Sequence, residues 1–217
     1  MTNARDTTTG DPITMNHLNG DLMCAMDTET TGLDPHFHEV IQIAIVPLNH
    51  KCEVRKDVMP FFVNLRPDFP ERADPEAMKI NGLAKEMSGA FDRVHAIDLL
   101  KEWIEKLKIP CTKFGNPKRI VPLGQNYAFD KPFIISWLGR ALYDEWFSPH
   151  NRDTMISALY LNDRASFHAT DPKFHKVNLT WLCKVYGVDN TRAHNALSDC
   201  CATAAVYKKM CEEGTFV

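Results

Sequence analysis

The chain has 217 residues, a length typical of one domain, and 44% of them are hydrophobic, enough for a sizeable core. The net charge of −3 argues against a protein that coats long stretches of duplex DNA, because phosphate contacts need Lys and Arg. A small site in which metal ions supply positive charge is compatible with this composition. The seven cysteines include no C-x-x-C pair, which argues against a zinc ribbon; because their number is odd and Cys200 and Cys201 are adjacent, we expect reduced thiols in a cytoplasmic protein. No apolar stretch is long enough to predict a membrane span.

The first third of the chain predicts a tail followed by strands. Residues 1–19 lack the apolar core of a signal peptide and are expected to form a flexible tail, and residues 20–217 a single domain. Alternating and β-branched residues predict three antiparallel strands, at 21–27, 39–49 and 54–64. Pro60 and Pro67 indicate that the third strand lies at an edge of the sheet or stops early.

Helices dominate the rest of the chain. Asp74-Pro75 begins a short helix that Asn81-Gly82 ends, and Asp92 caps a longer helix with one apolar stripe. A buried strand at 120–124 precedes another helix, whose predicted inner face comprises Phe133, Ile134, Trp137, Leu138 and Leu142. Further helices are predicted at 154–161, 178–186 and 195–213, with an insertion or loop at 162–177. This order predicts an α/β layered domain.

Two carboxylates, separated by one residue, stand at the end of the first predicted strand. Asp27 and Glu29 point to the same side if the strand continues to Glu29, because side chains alternate with period two. Two such groups repel unless a cation or a shared proton lies between them, and Mg²⁺ and Mn²⁺ prefer oxygen ligands. A solvated strand end is the competing explanation, since this pattern is common by chance.

Three more side chains have both an ordinary and a catalytic explanation. Asp130 stands in the first turn of a helix, where a carboxylate also favours the helix dipole. His194 precedes Asp199 by five residues, and Asn195 is a suitable N-cap. His194 is therefore expected in a loop, with Asp199 projecting from the first turns of the last helix.

The motifs DTETTGL, NYAFD and HNALSD, in that order, resemble those of the DEDD exonuclease family in its histidine-containing (DEDDh) branch. That branch includes proofreading subunits, ribonuclease T and oligoribonuclease, and the resemblance extends over residues 23–210. It implies a ribonuclease H-like fold with a central mixed five-stranded sheet flanked by helices. One departure is Gln125-Asn126-Tyr127, where the family often has His-Asn-Ala.

The resemblance also implies which residues do the chemistry. It assigns two divalent ions, Mg²⁺ or Mn²⁺, to Asp27, Glu29, Asp130 and Asp199. On this hypothesis Asp27 bridges both ions, Glu29 and Asp199 complete one site, and Asp130 supports the other. His194 would deprotonate the attacking water or, alternatively, only orient it. Residues implied to bind the terminal nucleotide are Thr28, Thr30, Gly32, Leu33, Asn126 and Phe129.

The expected function is a 3′–5′ exonuclease that acts on single-stranded or frayed 3′ ends of DNA and releases nucleoside monophosphates. An exoribonuclease or oligoribonuclease is the alternative, and it would need to recognise the 2′-hydroxyl group. A catalytically inactive member that binds nucleic acid or a polymerase is less expected, because all five motif residues are present. A replication or repair protein is a candidate partner. Because the chain ends soon after the last predicted helix, we expect a stand-alone or accessory enzyme.

Overall fold

A five-stranded mixed sheet forms the centre of the molecule, in the strand order β3-β2-β1-β4-β5. The computed structural model describes residues 21–82, 90–112, 114–116 and 118–213. The strands are β1 (Met23–Thr30), β2 (Val40–Pro47), β3 (Phe61–Asn64), β4 (Val121–Gly124) and β5 (Arg152–Asp153). The first three pair antiparallel, whereas β4 pairs parallel with β1 and β5 parallel with β4. The predicted sheet class and the antiparallel meander are confirmed.

Helices cover both faces of the sheet. They are α1 (Pro75–Asn81), α2 (Arg93–Lys106), α3 (Tyr127–Leu138), α4 (Arg140–Trp146), α5 (Thr154–Phe167), α6 (Leu179–Tyr186) and α7 (Ala196–Glu213). The larger core cluster joins one sheet face to α2, α3 and α4. On the other face, α7 lies directly on the sheet through small residues, and α5 and α6 pack on its outer side. No helix among the described residues is both long and apolar enough to cross a membrane.

Local signals set most helix ends as predicted. Asp74 caps α1 by accepting from the amide of Glu76, and Gly82 ends it in the left-handed conformation. Asp92 likewise caps α2. The predicted helices that end at Gly187 and begin after Asn195 are also confirmed.

Several predicted bounds are wrong. The first strand begins at Met23 and continues to Thr30, and the third is limited to Phe61–Asn64 after Pro60, which has no amide to donate. Leu142 belongs to α4, because Gly139 (φ 83°) ends α3 and separates the two helices. The two-residue strand β5 is too short for a periodic signal.

The predicted loop at 162–177 is partly helical. Helix α5 continues through Phe167, since no proline or glycine interrupts it before Pro172. The remainder is tied back to α5, because the Asn162 side chain exchanges two hydrogen bonds with the Phe174 backbone. The predicted tail at 1–19 lies outside the described residues, and the single-domain assignment stays a prediction.

Candidate active site

The first two carboxylates share the sheet face that α7 covers. Because β1 continues to Thr30, Asp27 and Glu29 follow Met23 and Ala25 on that face, where both apolar residues pack in the cluster with α7. The strand therefore continues past Glu29, and the expectation that Asp27 and Glu29 point to the same side is confirmed. Both carboxylates interact electrostatically with Asp199 of α7.

Asp130 reaches the same place from the other side of β1. Strand β4 pairs with β1 only over Met23–Ala25, so the amide of Thr28 lies beyond that pairing. The Asp130 carboxylate accepts from this amide at 3.0 Å and from the Thr28 hydroxyl at 2.7 Å. Asp130 is 3% exposed, and the first turn of α3 holds it there. Thr28 thus fixes the orientation of one carboxylate oxygen.

The N-terminus of α7 contributes Asp199 and His194. Asn195 caps the helix by accepting from the Ser198 amide at 3.2 Å. One oxygen of Asp199, Oδ2, accepts from the backbone amide of His194 at 3.0 Å. The imidazole is exposed, and His194 adopts the left-handed conformation (φ 66°), which for a residue other than glycine costs about 1–3 kcal/mol. As predicted, His194 lies in a loop beside the helix that carries Asp199.

These side chains fit a divalent metal. Ligand atoms of Glu29, His194 and Asp199 all lie within 4.8 Å of one another. The second oxygen of Asp199, Oδ1, is buried and has no hydrogen-bond partner among the described residues. A buried carboxylate oxygen without a partner is costly, and a hard cation would satisfy it.

Burial raises the pKa of every carboxyl group in the cluster, and the charges of neighbouring carboxylates raise it further for Asp27 and Glu29. Burial, followed by the charges of Asp130, Glu29 and Asp199, raises the pKa of Asp27 well above its ordinary value. Burial together with Asp199 and Asp130 raises the pKa of Glu29 to about 8. Burial raises the pKa of Asp130 to about 7 against the hydrogen bonds from Thr28. Burial also raises the pKa of Asp199, against the amide of His194. Without nearby positive charge, the cluster therefore retains protons near neutral pH.

The loop after β1 has a compact and an exposed part. The Thr30 hydroxyl donates to the carbonyl of Gly32 at 2.7 Å. A Cβ at Gly32 would lie 2.3 Å from the ring of His38, so a larger residue there would require that ring to move. Leu33, by contrast, is 78% exposed, which leaves its side chain available to a ligand.

The two aromatic residues of the second motif, Tyr127 and Phe129, differ in burial. The ring of Tyr127 is buried, with its hydroxyl 3.1 Å from that of Tyr143, so its bulk occupies the core. Phe129 is half-buried, with its ring centroid 5.1 Å from that of Phe133. Asn126 has a left-handed backbone conformation (φ 62°), and its backbone amide donates to the carboxylate of Asp153.

Two polar residues that position the site were not assigned a role from the sequence. Gln42 of β2 is 1% exposed, and its Oε1 accepts from the Ala196 amide at 2.7 Å, at the start of α7. Asp153 accepts from the amides of Tyr127 and Met155 and thereby joins the starts of α3 and α5. A polar residue inside an otherwise apolar strand was the available signal for Gln42. An acid directly before a helix was the available signal for Asp153.

The sheet and its converging carboxylates define a nuclease with the ribonuclease H-like fold. The exonuclease family model RNase T matches residues 24–115. The epsilon subunit of DNA polymerase III from Rickettsia felis is 30% identical over 193 residues, covering 85% of this chain and 72% of the relative. An oligoribonuclease from Burkholderia lata is 25% identical over 160 residues, covering 73% and 72%.

A solved structure shares the fold over almost its whole length. The nuclease domain of 3′hExo, a DEDDh family member bound to rAMP, superposes with a TM-score of 0.62 at 21% identity. The superposition covers 89% of this chain and 93% of that domain. The 30% identity with the epsilon subunit over 85% of this chain, together with the match to the exonuclease model, shows that the chain belongs to this exonuclease family.

Proposed function

We propose that this protein removes nucleotides one at a time from the 3′ ends of single-stranded or frayed DNA and releases nucleoside monophosphates. The observation that carries the proposal is the convergence of four carboxylates from β1, α3 and α7 beside one exposed histidine. Burial and neighbouring carboxylates raise the pKa values of these groups, and bound cations would supply the positive charge that the cluster lacks and would in turn accept an anionic phosphate.

The residues divide into metal ligands and a proton acceptor. Asp27 is suited to hold both of two ions, Mg²⁺ or Mn²⁺, with Glu29 and Asp199 on one and Asp130 on the other. Such ions, when bound, stabilise the charge that develops on the phosphate and the leaving oxygen. His194 is exposed at the edge of the cluster, where its imidazole can accept the proton of the attacking water.

The substrate end is assigned to the loop after β1. The exposed Leu33 is suited to pack on the terminal base, and the buried Gly32 beside it lets the loop pack closely against the ring of His38. We assign supporting roles in nucleotide binding to Thr28, Thr30 and Asn126. The half-buried ring of Phe129 can contact a base with its edge. Stacking of this kind tolerates any base, so we expect little sequence preference.

DNA is the proposed substrate because the similarity to the epsilon subunit covers more of this chain than that to the oligoribonuclease. Digestion of RNA remains the second candidate, since a relative named oligoribonuclease matches 73% of the chain. A replication or repair protein is the proposed partner class, on the basis of the epsilon relative's name. The seven free cysteines support a cytoplasmic location.

The test is digestion of matched single-stranded DNA and RNA with Mg²⁺, Mn²⁺ or EDTA. We expect metal-dependent release of mononucleotides, faster from DNA. Faster release from RNA would overturn the choice of DNA, and absence of release from both would overturn the proposal of an exonuclease activity.

A further inference from the structure

A pair of cysteine thiols lies at the opposite end of α7 from Asp199. Cys52 is in the turn that follows β2, and Cys211 is in the last turn of α7. Both cysteines and Tyr207 line one groove, where side-chain hydrogen bonding between the two thiols, and between Tyr207 and Cys211, affects the pKa of each cysteine. Two segments far apart in sequence therefore bring the two thiols close enough to interact.

The surrounding structure holds this pair in place and leaves one thiol accessible. Cys52 is 6% exposed and packs in the cluster between α7 and the sheet, whereas Cys211 is exposed. Lys208, one turn before Cys211, forms an ion pair with Glu53 at 2.9 Å. The turn and the helix end are thus fastened beside the sulfur atoms, at an open groove that both cysteines line.

The hydrogen bonds favour the thiolate form of the exposed cysteine. The bond from Cys52, and then that from Tyr207, lowers the pKa of Cys211 to about 7. The same bond, with burial, raises the pKa of Cys52, so Cys52 keeps its proton and donates it. A thiol whose pKa is near the ambient pH combines a high thiolate fraction with good nucleophilicity.

We propose that Cys52 and Cys211 form a thiol–disulfide exchange site that reacts with low-molecular-weight disulfides such as glutathione disulfide. Cys211 is the attacking residue, and Cys52 is the residue that resolves the mixed disulfide. The product is an internal disulfide that links the turn after β2 to the end of α7.

The reaction balances with glutathione disulfide as the oxidant. The Cys211 thiolate attacks one sulfur of glutathione disulfide, the S–S bond breaks, and one glutathione thiolate leaves. The Cys52 sulfur then attacks the Cys211 sulfur of the mixed disulfide and releases the second glutathione. The two protein protons end on the two glutathione thiols, so the protein dithiol is oxidised and the small disulfide is reduced.

The other cysteines provide internal comparisons. Cys111 and Cys201 are also exposed, and burial raises the pKa of Cys201.

Asp199 lies 12 positions before Cys211 on the same helix, about 18 Å away at 1.5 Å per residue. The proposed exchange site is therefore separate from the carboxylate cluster and does not depend on the function proposed for it.

The test is treatment of the purified full-length protein with glutathione disulfide, followed by intact-mass and peptide-map analysis. We expect the wild type to lose two hydrogens and to yield a peptide in which Cys52 is joined to Cys211. The Cys52→Ser variant should instead retain one glutathione on Cys211. The Cys201→Ser variant should behave as the wild type.

Alkylation rates provide a readout that does not require the disulfide. With limiting iodoacetamide at neutral pH, Cys211 should be modified several-fold faster than Cys111 or Cys201. The proposal is overturned if no peptide joins Cys52 to Cys211 and Cys211 is alkylated no faster than the other two. It is also overturned if Cys52→Ser leaves Cys211 without bound glutathione.

Discussion

Thr28 shows how a single residue orders the carboxylate cluster. It lies between Asp27 and Glu29 in β1, but its side chain and its amide both donate to Asp130. The strand therefore positions two carboxylates on one side and holds a third from α3 through the residue between them. The second threonine of the motif, Thr30, instead donates within the loop, to Gly32.

Substitution Thr28→Val should lower activity while the fold persists. With divalent ions bound, Asp130 is ionised, and a hydrogen bond to a charged group contributes about 1.5–3 kcal/mol, equivalent to a roughly ten- to hundredfold loss of kcat/KM. Thr28→Ser keeps the donor and should retain most of the activity. Equal loss in both variants, measured by mononucleotide release, would contradict this role of the hydroxyl.

The role of His194 is tested by its pH–rate profile. In His194→Ala the water loses its proton acceptor, and we expect a loss of about 10²–10⁴-fold together with a changed pH profile. His150→Ala removes another exposed histidine and serves as the control. An unchanged rate and profile in His194→Ala would exclude the base role, whereas a lower rate with an unchanged profile would favour orientation of the water.

At the scale of elements, the buried side-chain amide of Gln42 links the N-terminus of α7 to the sheet. Gln42 lies opposite Glu29 across β1 and β2, accepts from Ala196 and donates to Asn64 at 2.8 Å. The chain of contacts from β3 through β2 to α7 fixes the helix end that carries Asp199. The site thus depends on three strands, although only β1 supplies ligands.

Substitution Gln42→Leu should raise the metal concentration needed for half-maximal activity. The start of α7 would lose its acceptor, and Asp199 would be held less firmly beside Glu29. The control is Asn162→Ala, which removes the side-chain amide that is hydrogen-bonded to the Phe174 backbone, away from the carboxylates. This variant should lower stability without changing the metal concentration needed for activity. If both variants shift the metal requirement equally, Gln42 acts only through general stability.

The sequence predicted the elements with strong local signals and missed those that tertiary contacts create. Capped helices such as α1 and α6 could be predicted because side chains near their own ends stop or start them. Strand β5 could not, because two residues carry no period and pairing with β4 alone defines it. The resemblance identified the five motif residues as candidates, whereas the long-range contact of Gln42 required the fold.

At the scale of the whole molecule, the carboxylate cluster couples stability to pH. Glu29 and Asp130 have folded-state pKa values of about 8 and about 7, above their ordinary values of 4.5 and 3.8. A raised carboxyl pKa means that the folded state binds protons more tightly than the unfolded state. This contribution is complete below the ordinary values and is lost as the pH rises through about 7 to 8.

The melting temperature in EDTA should therefore fall as the pH rises from about 5 to about 8. Divalent ions should reverse most of the fall, because they replace the lost protons as positive charge in the cluster. Glu29→Gln removes one titrating group and should flatten the decline. A melting temperature that does not fall over this range, with no effect of Mg²⁺ or Glu29→Gln, would contradict the claim that the clustered carboxylates destabilise the fold when they ionise.

The central claim is that the clustered carboxylates catalyse metal-dependent removal of nucleotides from 3′ ends. The most direct measurement is the rate of mononucleotide release from single-stranded DNA with a free or blocked 3′ end, by the wild type and by Asp27→Asn. We predict stepwise release from the free end with Mg²⁺ or Mn²⁺, and none with EDTA, with the blocked end or with Asp27→Asn. Release by Asp27→Asn at the wild-type rate, or release that persists in EDTA, would contradict the account.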